Sequence, residues 1–245
     1  MKIILSPSKK QNFDIQECNK ETSFFYENLT NVLLSTLKSL SKEKLNTTLK
    51  IKGKLLDETY LLYQSLESNS LGMKAINCYQ GVVFEQIKAE QYNEKQCEYL
   101  NKHLVILSAM YGVLEPSTLM WPYRMDMTVN LKNIQLYKYW QNAMDKYFLY
   151  EDCIINLASN EFSKMIEGNR NRMITIYFQE EQENKSLKTI SYNAKKARGK
   201  MAHLCILNMV KTPEEIQKYQ VDGYDFDKMI SDNQNYFFIK KFHER

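Results

Sequence analysis

Four cations, Lys195, Lys196, Arg198 and Lys200, crowd into six consecutive positions of the run Ala194-Lys195-Lys196-Ala197-Arg198-Gly199-Lys200. On a helix Lys195 and Arg198 are three apart and Lys196 and Lys200 four apart, so each pair shares a stripe. The two stripes are expected side by side near the helix N-terminus. Cations there oppose the helix dipole unless an anion sits close, so the run reads either as a phosphate site or as a solvated basic face. Three further polar segments begin where a predicted strand ends: Ser6-Pro7-Ser8-Lys9, Ser108-Ala109-Met110-Tyr111-Gly112 and Asn156-Leu157-Ala158-Ser159-Asn160-Glu161. Ligands of open α/β sheets bind beyond the carboxyl ends of the strands, so parallel neighbours would gather these side chains into one cleft. Within it Glu161 is a candidate general acid/base, or simply an acid favoured by the first turn of a helix.

The elements that must carry these residues follow from periodicity. Lys2 to Leu5 reads as a strand. Phe24, Phe25, Leu29, Val32, Leu33, Leu37 and Leu40 mark an amphipathic helix. Helical patterns over Lys42–Leu49 and about Leu55–Leu66 flank Ile51-Lys52-Gly53-Lys54. Together with Lys50 this turn is similar to a helix-hairpin-helix DNA module, in which a Gly turn lets backbone N–H groups approach phosphate. A hairpin used only for packing is the alternative. Beyond it the pattern predicts strands at Ala75–Tyr79, Leu104–Ala109, Cys153–Leu157, Met173–Phe178, Leu187–Tyr192 and, as an edge, Tyr236–Phe242. Helices are predicted at Val82–Lys88, Glu94–Asn101, Ile134–Phe148, from Ser159 to Ile166 and over Ala194–Met209. Thr212-Pro213-Glu214-Glu215 is a capping box opening one more. A long loop holds Pro116 and Pro122. The interleaving predicts an α/β (mixed α+β) fold: one body over 1–245 with a mostly parallel or mixed sheet, flanking helices and a helical hairpin inserted at about 41–66.

Composition narrows the function. The chain has 245 residues, 44% of them hydrophobic, enough to bury a core. Its net charge of +4 excludes a diffuse polyanion trap, so nucleic-acid binding requires local clustering. Five cysteines without C-x-x-C spacing and three separate histidines suggest free thiols and no structural metal; no cofactor is expected. No apolar stretch approaches the ~20 residues of a membrane helix and no secretory signal is present, so a cytoplasmic monomer without membrane contact is expected.

The ordered set of Ser6-Pro7-Ser8-Lys9, the segment from Leu107 to Leu114 with Pro122-Tyr123-Arg124-Met125, Asn156 to Phe162, Ala194 to Gly199 and Gly223-Tyr224-Asp225-Phe226 resembles the YaaA peroxide-stress family. The resemblance covers nearly the whole chain. It implies a bacterial cytosolic protein of the oxidative (hydrogen peroxide) stress response that limits damage linked to intracellular free iron. It also implies binding of double-stranded or structured DNA through a positively charged cleft, in an unusual α/β fold with a helix-hairpin-helix element. On this reading Lys9, Arg124, Lys195, Lys196, Arg198 and Lys200 meet phosphates. Ser6, Ser108, Tyr111, Tyr123, Asn156 and Ser159 line the cleft, with the two tyrosines stacking on unpaired bases, and Lys50, Lys52, Gly53 and Lys54 form the hairpin contact. The alternative is a nucleotide- or nucleobase-processing enzyme that uses the same cleft with Glu161 as general acid/base.

Overall fold

The first strand, β1 (Lys2–Leu5), is buried from Ile3 onward. It pairs in parallel with both β3 (Leu104–Ser108) and β6 (Ile154–Asn156), placing Leu5 opposite Ile106 and Ile4 opposite Asn156. All three are short apolar runs, as expected of strands covered on both faces. The computed structural model describes residues 1–13, 24–67 and 70–242. Cys18 and His243 fall outside the described residues.

The eight-stranded sheet also contains β4 (Gly112–Leu114), β7 (Met173–Glu181), β8 (Leu187–Lys188), β9 (Tyr224–Phe226) and β10 (Asn235–Lys240), in the order β4-β3-β1-β6-β7-β10-β9. Its five central strands are parallel; β4 and β9 close the two ends antiparallel. β7 outruns the three-residue β6, and its free end, Glu180 and Glu181, takes β8 antiparallel. A separate ribbon joins β2 (Met73–Lys74) to β5 (Leu119–Met120). This is the mixed, mostly parallel α/β sheet that the sequence predicts.

The helices are α1 (Glu27–Lys38), α2 (Lys42–Leu49), α3 (Lys54–Ser65), α4 (Ala75–Cys78), α5 (Glu94–His103), α6 (Leu136–Tyr147), α7 (Asn160–Ser163) and α8 (Ser191–Leu207). Helix α1 buries Leu33, Leu34 and Leu37, and α6 buries Leu136, Trp140 and Ala143, at the spacing of one face. Helices α2 and α3 follow one another across a short turn. Ser41 caps α2, Lys50 ends it in the left-handed region at φ 53°, and Gly53 at φ 60° starts α3. That backbone carries no Cβ penalty only in glycine. Lys42 bridges to Asp57 at 2.7 Å, tying the two helices together.

Several sequence expectations are corrected. Ala75–Tyr79 forms one helical turn instead of a strand, because Thr118 and Pro116 carbonyls accept the N–H groups of Ala75 and Ile76 and Tyr79 N–H turns back to Ala75. Val82–Lys88 is reduced to a 3₁₀ turn at Phe84–Gln86. The loop containing Pro116 and Pro122 holds β5, with β4 just before it. α7 is a single turn that continues as 3₁₀ turns to Arg172. β10 lies inside the sheet, since β9 covers its outer side, and Leu187–Tyr192 keeps only two strand residues before α8 begins at Ser191.

Helix α8 lies close against the turn Phe84–Gln86, and Gly199 stands where it approaches Val83 and Gln86. A Cβ at Gly199 would sit 2.3 Å from the Val83 carbonyl oxygen, which is backbone and cannot swing aside. Gly199→Ala should therefore destabilise the protein by about 1–3 kcal/mol. A urea titration followed by circular dichroism reads the loss; an unchanged midpoint would contradict the close packing.

Candidate functional site

Because β1, β3 and β6 run parallel, their carboxyl ends deliver Ser6, Ser108 and Asn156 to the same edge of the sheet. Ser6 Oγ donates to Ser159 Oγ at 3.1 Å and accepts from Ser159 N–H at 2.8 Å, locking the two strand-end segments together. The Ser159 hydroxyl thus serves Ser6 and does not cap α7. A cavity of about 650 Å³ opens here. Its wall is built from Ser6–Gln11, the hairpin turn at Thr48–Ile51, Gln80–Phe84, Tyr123–Asp126, the start of α7 and α8.

The lining is charged in a biased way. Lys9, Lys10, Lys50, Arg124, Lys195 and Arg198 face only Asp126 and Glu161. That excess equals the net charge of +4 of the entire chain, so the remainder of the molecule is balanced. A second cavity of similar size is lined by Lys74 and Lys88 together with Glu85 and Glu90, and holds no surplus.

Arg198 is the exception among these cations. Its side chain is mostly buried, its Nε has no hydrogen-bond partner, and no carboxylate lies within ion-pair distance among the described residues. Burial lowers its pKa from the ordinary value, opposed by Tyr177, yet a guanidinium stays charged at neutral pH. An unpaired buried charge is costly unless something anionic meets it. Lys195, one turn earlier, is exposed on the same wall.

The other two cations of the run turn away. Lys196 and Lys200 both pair with Asp222, Lys196 at 3.6 Å. At about 100° per residue the two stripes diverge around the helix instead of lying side by side. Nor is the run at the helix start: α8 begins at Ser191, so Lys195 already lies beyond the first turn, where the dipole has little effect.

Lys9 Nζ bonds to Asp126 at 2.9 Å, and Arg124 Nη1 donates to the Lys9 carbonyl at 3.3 Å. The Tyr123 N–H donates to Gln11 Oε1, and Arg124 N–H to the Tyr63 hydroxyl. These contacts stitch the segment 123–126 onto 9–11 and, through Tyr63, onto α3. Glu161 Oε1 accepts from Met127 N–H at 3.1 Å, while its second oxygen has no hydrogen bond among the described residues. Of the hairpin residues Lys50 lines the cavity. Lys52, Gly53 and Lys54 are exposed beyond it, Lys54 near Glu58.

Three expected lining residues, Ser108, Tyr111 and Asn156, sit beneath the cavity, while Tyr123 lines it almost wholly buried. Ser108 Oγ accepts from Met110 and Tyr111 N–H and donates to the Tyr123 hydroxyl, which meets that of Tyr79 at 2.9 Å. Asn156 is buried, its Oδ1 accepting from Ala158 N–H and its Nδ2 donating to Thr175. Tyr111 is 0% exposed and bonds to the Trp121 carbonyl, and Tyr123 reaches the wall with 5% of its surface. Neither ring is open to stack on a base. Burial pushes the Tyr123 hydroxyl up to about 12, and the hydroxyls of Tyr79 and Tyr111 well above the ordinary value. Of the lining, Lys10, Gln11, Val83 and Asp126 carry no motif signal in the sequence. Asp126 stands two residues after Arg124, and nothing local marks Val83, which arrives through the packing of α8.

Burial alone would raise the Asp126 pKa, but hydrogen bonds from Thr128 and Lys9 outweigh it and hold the carboxyl below its usual range. A depressed folded value contributes stability above the unfolded pKa of about 3.9, and this is lost as pH falls through the folded value. The urea midpoint of Asp126→Asn should therefore fall less than that of the unmodified protein between pH 6 and pH 3. Parallel curves would show the pair to be idle.

The profile of the family described as "Peroxide stress protein YaaA" matches residues 1–230. A UPF0246 protein of Fusobacterium nucleatum is 37% identical over 98% of this chain and 99% of its own length. Those of Rickettsia felis and Clostridioides difficile are 34% and 32% identical over 98% of this chain and 100% of theirs. A match running through the strand-end segments and the basic helix alike leaves one conclusion: this chain belongs to the YaaA peroxide stress protein family, the UPF0246 proteins.

Proposed function

We propose that this peroxide stress protein binds DNA through its cationic cleft and so limits oxidative damage linked to intracellular free iron. The observation that carries the reading is the mostly buried Arg198 guanidinium, unpaired and facing a cavity whose lining holds the chain's whole positive surplus. Phosphate supplies the missing partner, since a guanidinium donates to phosphate oxygens in a fork. Lys195 adds a second charge, and Lys9, Lys10, Lys50 and Arg124 extend the field across the mouth. The hairpin turn stands at the rim, where Lys50, Lys52 and the open backbone at Gly53 suit a further phosphate contact. We place the protein in the cytoplasm as a monomer; no described helix is long and apolar enough to cross a membrane.

A second reading is favoured by Glu161, whose free carboxylate oxygen shares the cavity with Lys195 and Arg198. It makes the protein a nucleotide- or nucleobase-processing enzyme with Glu161 as general acid/base. Mass spectrometry of damaged oligonucleotides and nucleotides after incubation tests it, and an absence of product throughout would remove it.

Fluorescence anisotropy with labelled duplexes over a salt series tests the first reading. Arg198→Ala should weaken binding about tenfold and flatten the slope of log K against log salt by about 0.9, as expected for one lost phosphate contact. Lys196→Ala and Lys200→Ala should change affinity little, because Asp222 already holds both. Affinity that ignores salt, or that survives the combined loss of Lys195 and Arg198, would falsify DNA binding by this cleft.

A further inference from the structure

The positive surplus accounts for an anion but leaves Glu161 unexplained. An ionised carboxylate only accepts hydrogen bonds, and so do phosphodiester oxygens. A strand laid through the cleft by its backbone alone would therefore be repelled at Glu161. The second acid, Asp126, raises no such problem, because Lys9 and Thr128 already fill it. Glu161 has one oxygen committed to Met127 N–H and the other free among the described residues. Whatever occupies the cavity must bring both an anion for Arg198 and an N–H or O–H donor for Glu161.

Nucleotides combine the two, through phosphate and through the amino and ring N–H groups of the base. In an intact duplex the ring N–H groups are engaged in pairing and the remaining amino N–H groups stay on the groove edges, so only an unpaired nucleotide can bring its base donors inside a cavity together with its phosphate. The cavity size agrees: about 650 Å³ lies within the range of small-ligand sites, ~300–1,000 Å³. Its lining also includes the half-buried Val82, Val83 and Val129, apolar side chains able to meet the face of a base.

We propose that the cavity receives a single unpaired nucleotide, its phosphate held by Arg198 and Lys195 and its base N–H donors by Glu161. The proposal rests on the DNA reading only for one of its two sources, a nucleotide displaced from a DNA strand; a free nucleoside monophosphate has the same chemistry.

Calorimetry on the full chain, with the four deoxynucleoside 5′-monophosphates, deoxyribose 5-phosphate and inorganic phosphate, tests it directly. At least one nucleotide should bind about tenfold more tightly than deoxyribose 5-phosphate, in keeping with one base contact. Glu161→Gln keeps an oxygen for Met127 N–H but turns a donor toward the cavity, so it should reduce that preference to about threefold or less. Equal binding of nucleotides and deoxyribose 5-phosphate, or an unaltered preference in Glu161→Gln, overturns the proposal. In parallel, anisotropy compares a perfect duplex with one carrying a single extrahelical nucleotide. About tenfold tighter binding of the latter supports the proposal with DNA as the source. Nucleotide binding without that gain supports it with the free nucleotide as the source. Salt-dependent duplex binding with neither a nucleotide preference nor an extrahelical gain sinks the proposal and leaves the DNA reading standing. Nucleotide binding with no DNA binding does the reverse.

Discussion

The parallel pairing of β1 with a strand on each side is the constraint from which the site follows. With Leu5 opposite Ile106 and Ile4 opposite Asn156, three strands leave the sheet at one edge and in step. Ser6 then meets Ser159, Ser108 organises the turn that carries Tyr111, and Asn156 holds Ala158. A slip of one residue would exchange the two faces of β1 and withdraw Ser6 from Ser159. Nearly complete burial of β1, β3 and β6 makes that slip costly, so the polar loops at their ends are held by the apolar core below them.

Onto this edge the fold sets a helix that supplies the charge. Gly199 allows α8 to approach the Val83 carbonyl, and the approach carries Arg198 into a setting where it loses water and gains no acid. Asp222 takes Lys196 and Lys200 out of the field, and Asp126 partly neutralises Lys9. What distinguishes Arg198 is thus less its charge than its lack of compensation. Electrostatic interactions strengthen where solvent is excluded, so an incoming phosphate gains more at Arg198 than at an exposed lysine.

Local pattern reveals the elements better than the site. The helices Lys42–Leu49 and Glu94–His103 and the strands β1 and β3 follow directly from apolar spacing. Ala75–Tyr79 does not, because five residues of mixed character fit a strand or a turn equally well and the carbonyls of Pro116 and Thr118 select the turn. β10 reads as an edge since β9 is three residues long and leaves little periodic trace. The tyrosines mislead for a related reason. An aromatic next to a loop is equally fit to stack on a ligand or to pack away from it, and the Tyr79, Tyr123 and Ser108 hydroxyl network and the Tyr111 bond to the Trp121 carbonyl keep these rings packed in the protein.

The amino-acid sequence by itself determined the mixed α/β class, the strand-end location of the polar motifs, the basic run on a helix and the family resemblance. These depend on residue type and on spacing over a few positions, which local backbone geometry converts directly into faces and ends. Tertiary structure alone decided which cations share a cavity. Lys196 and Lys200 differ from Lys195 and Arg198 only in the partner that distant segments provide: Asp222 for one pair, the open wall shaped by Val83 and Ser6 for the other. Charge compensation is a property of neighbours in space, and a net charge of +4 along the chain carries no record of where its surplus is left unpaired.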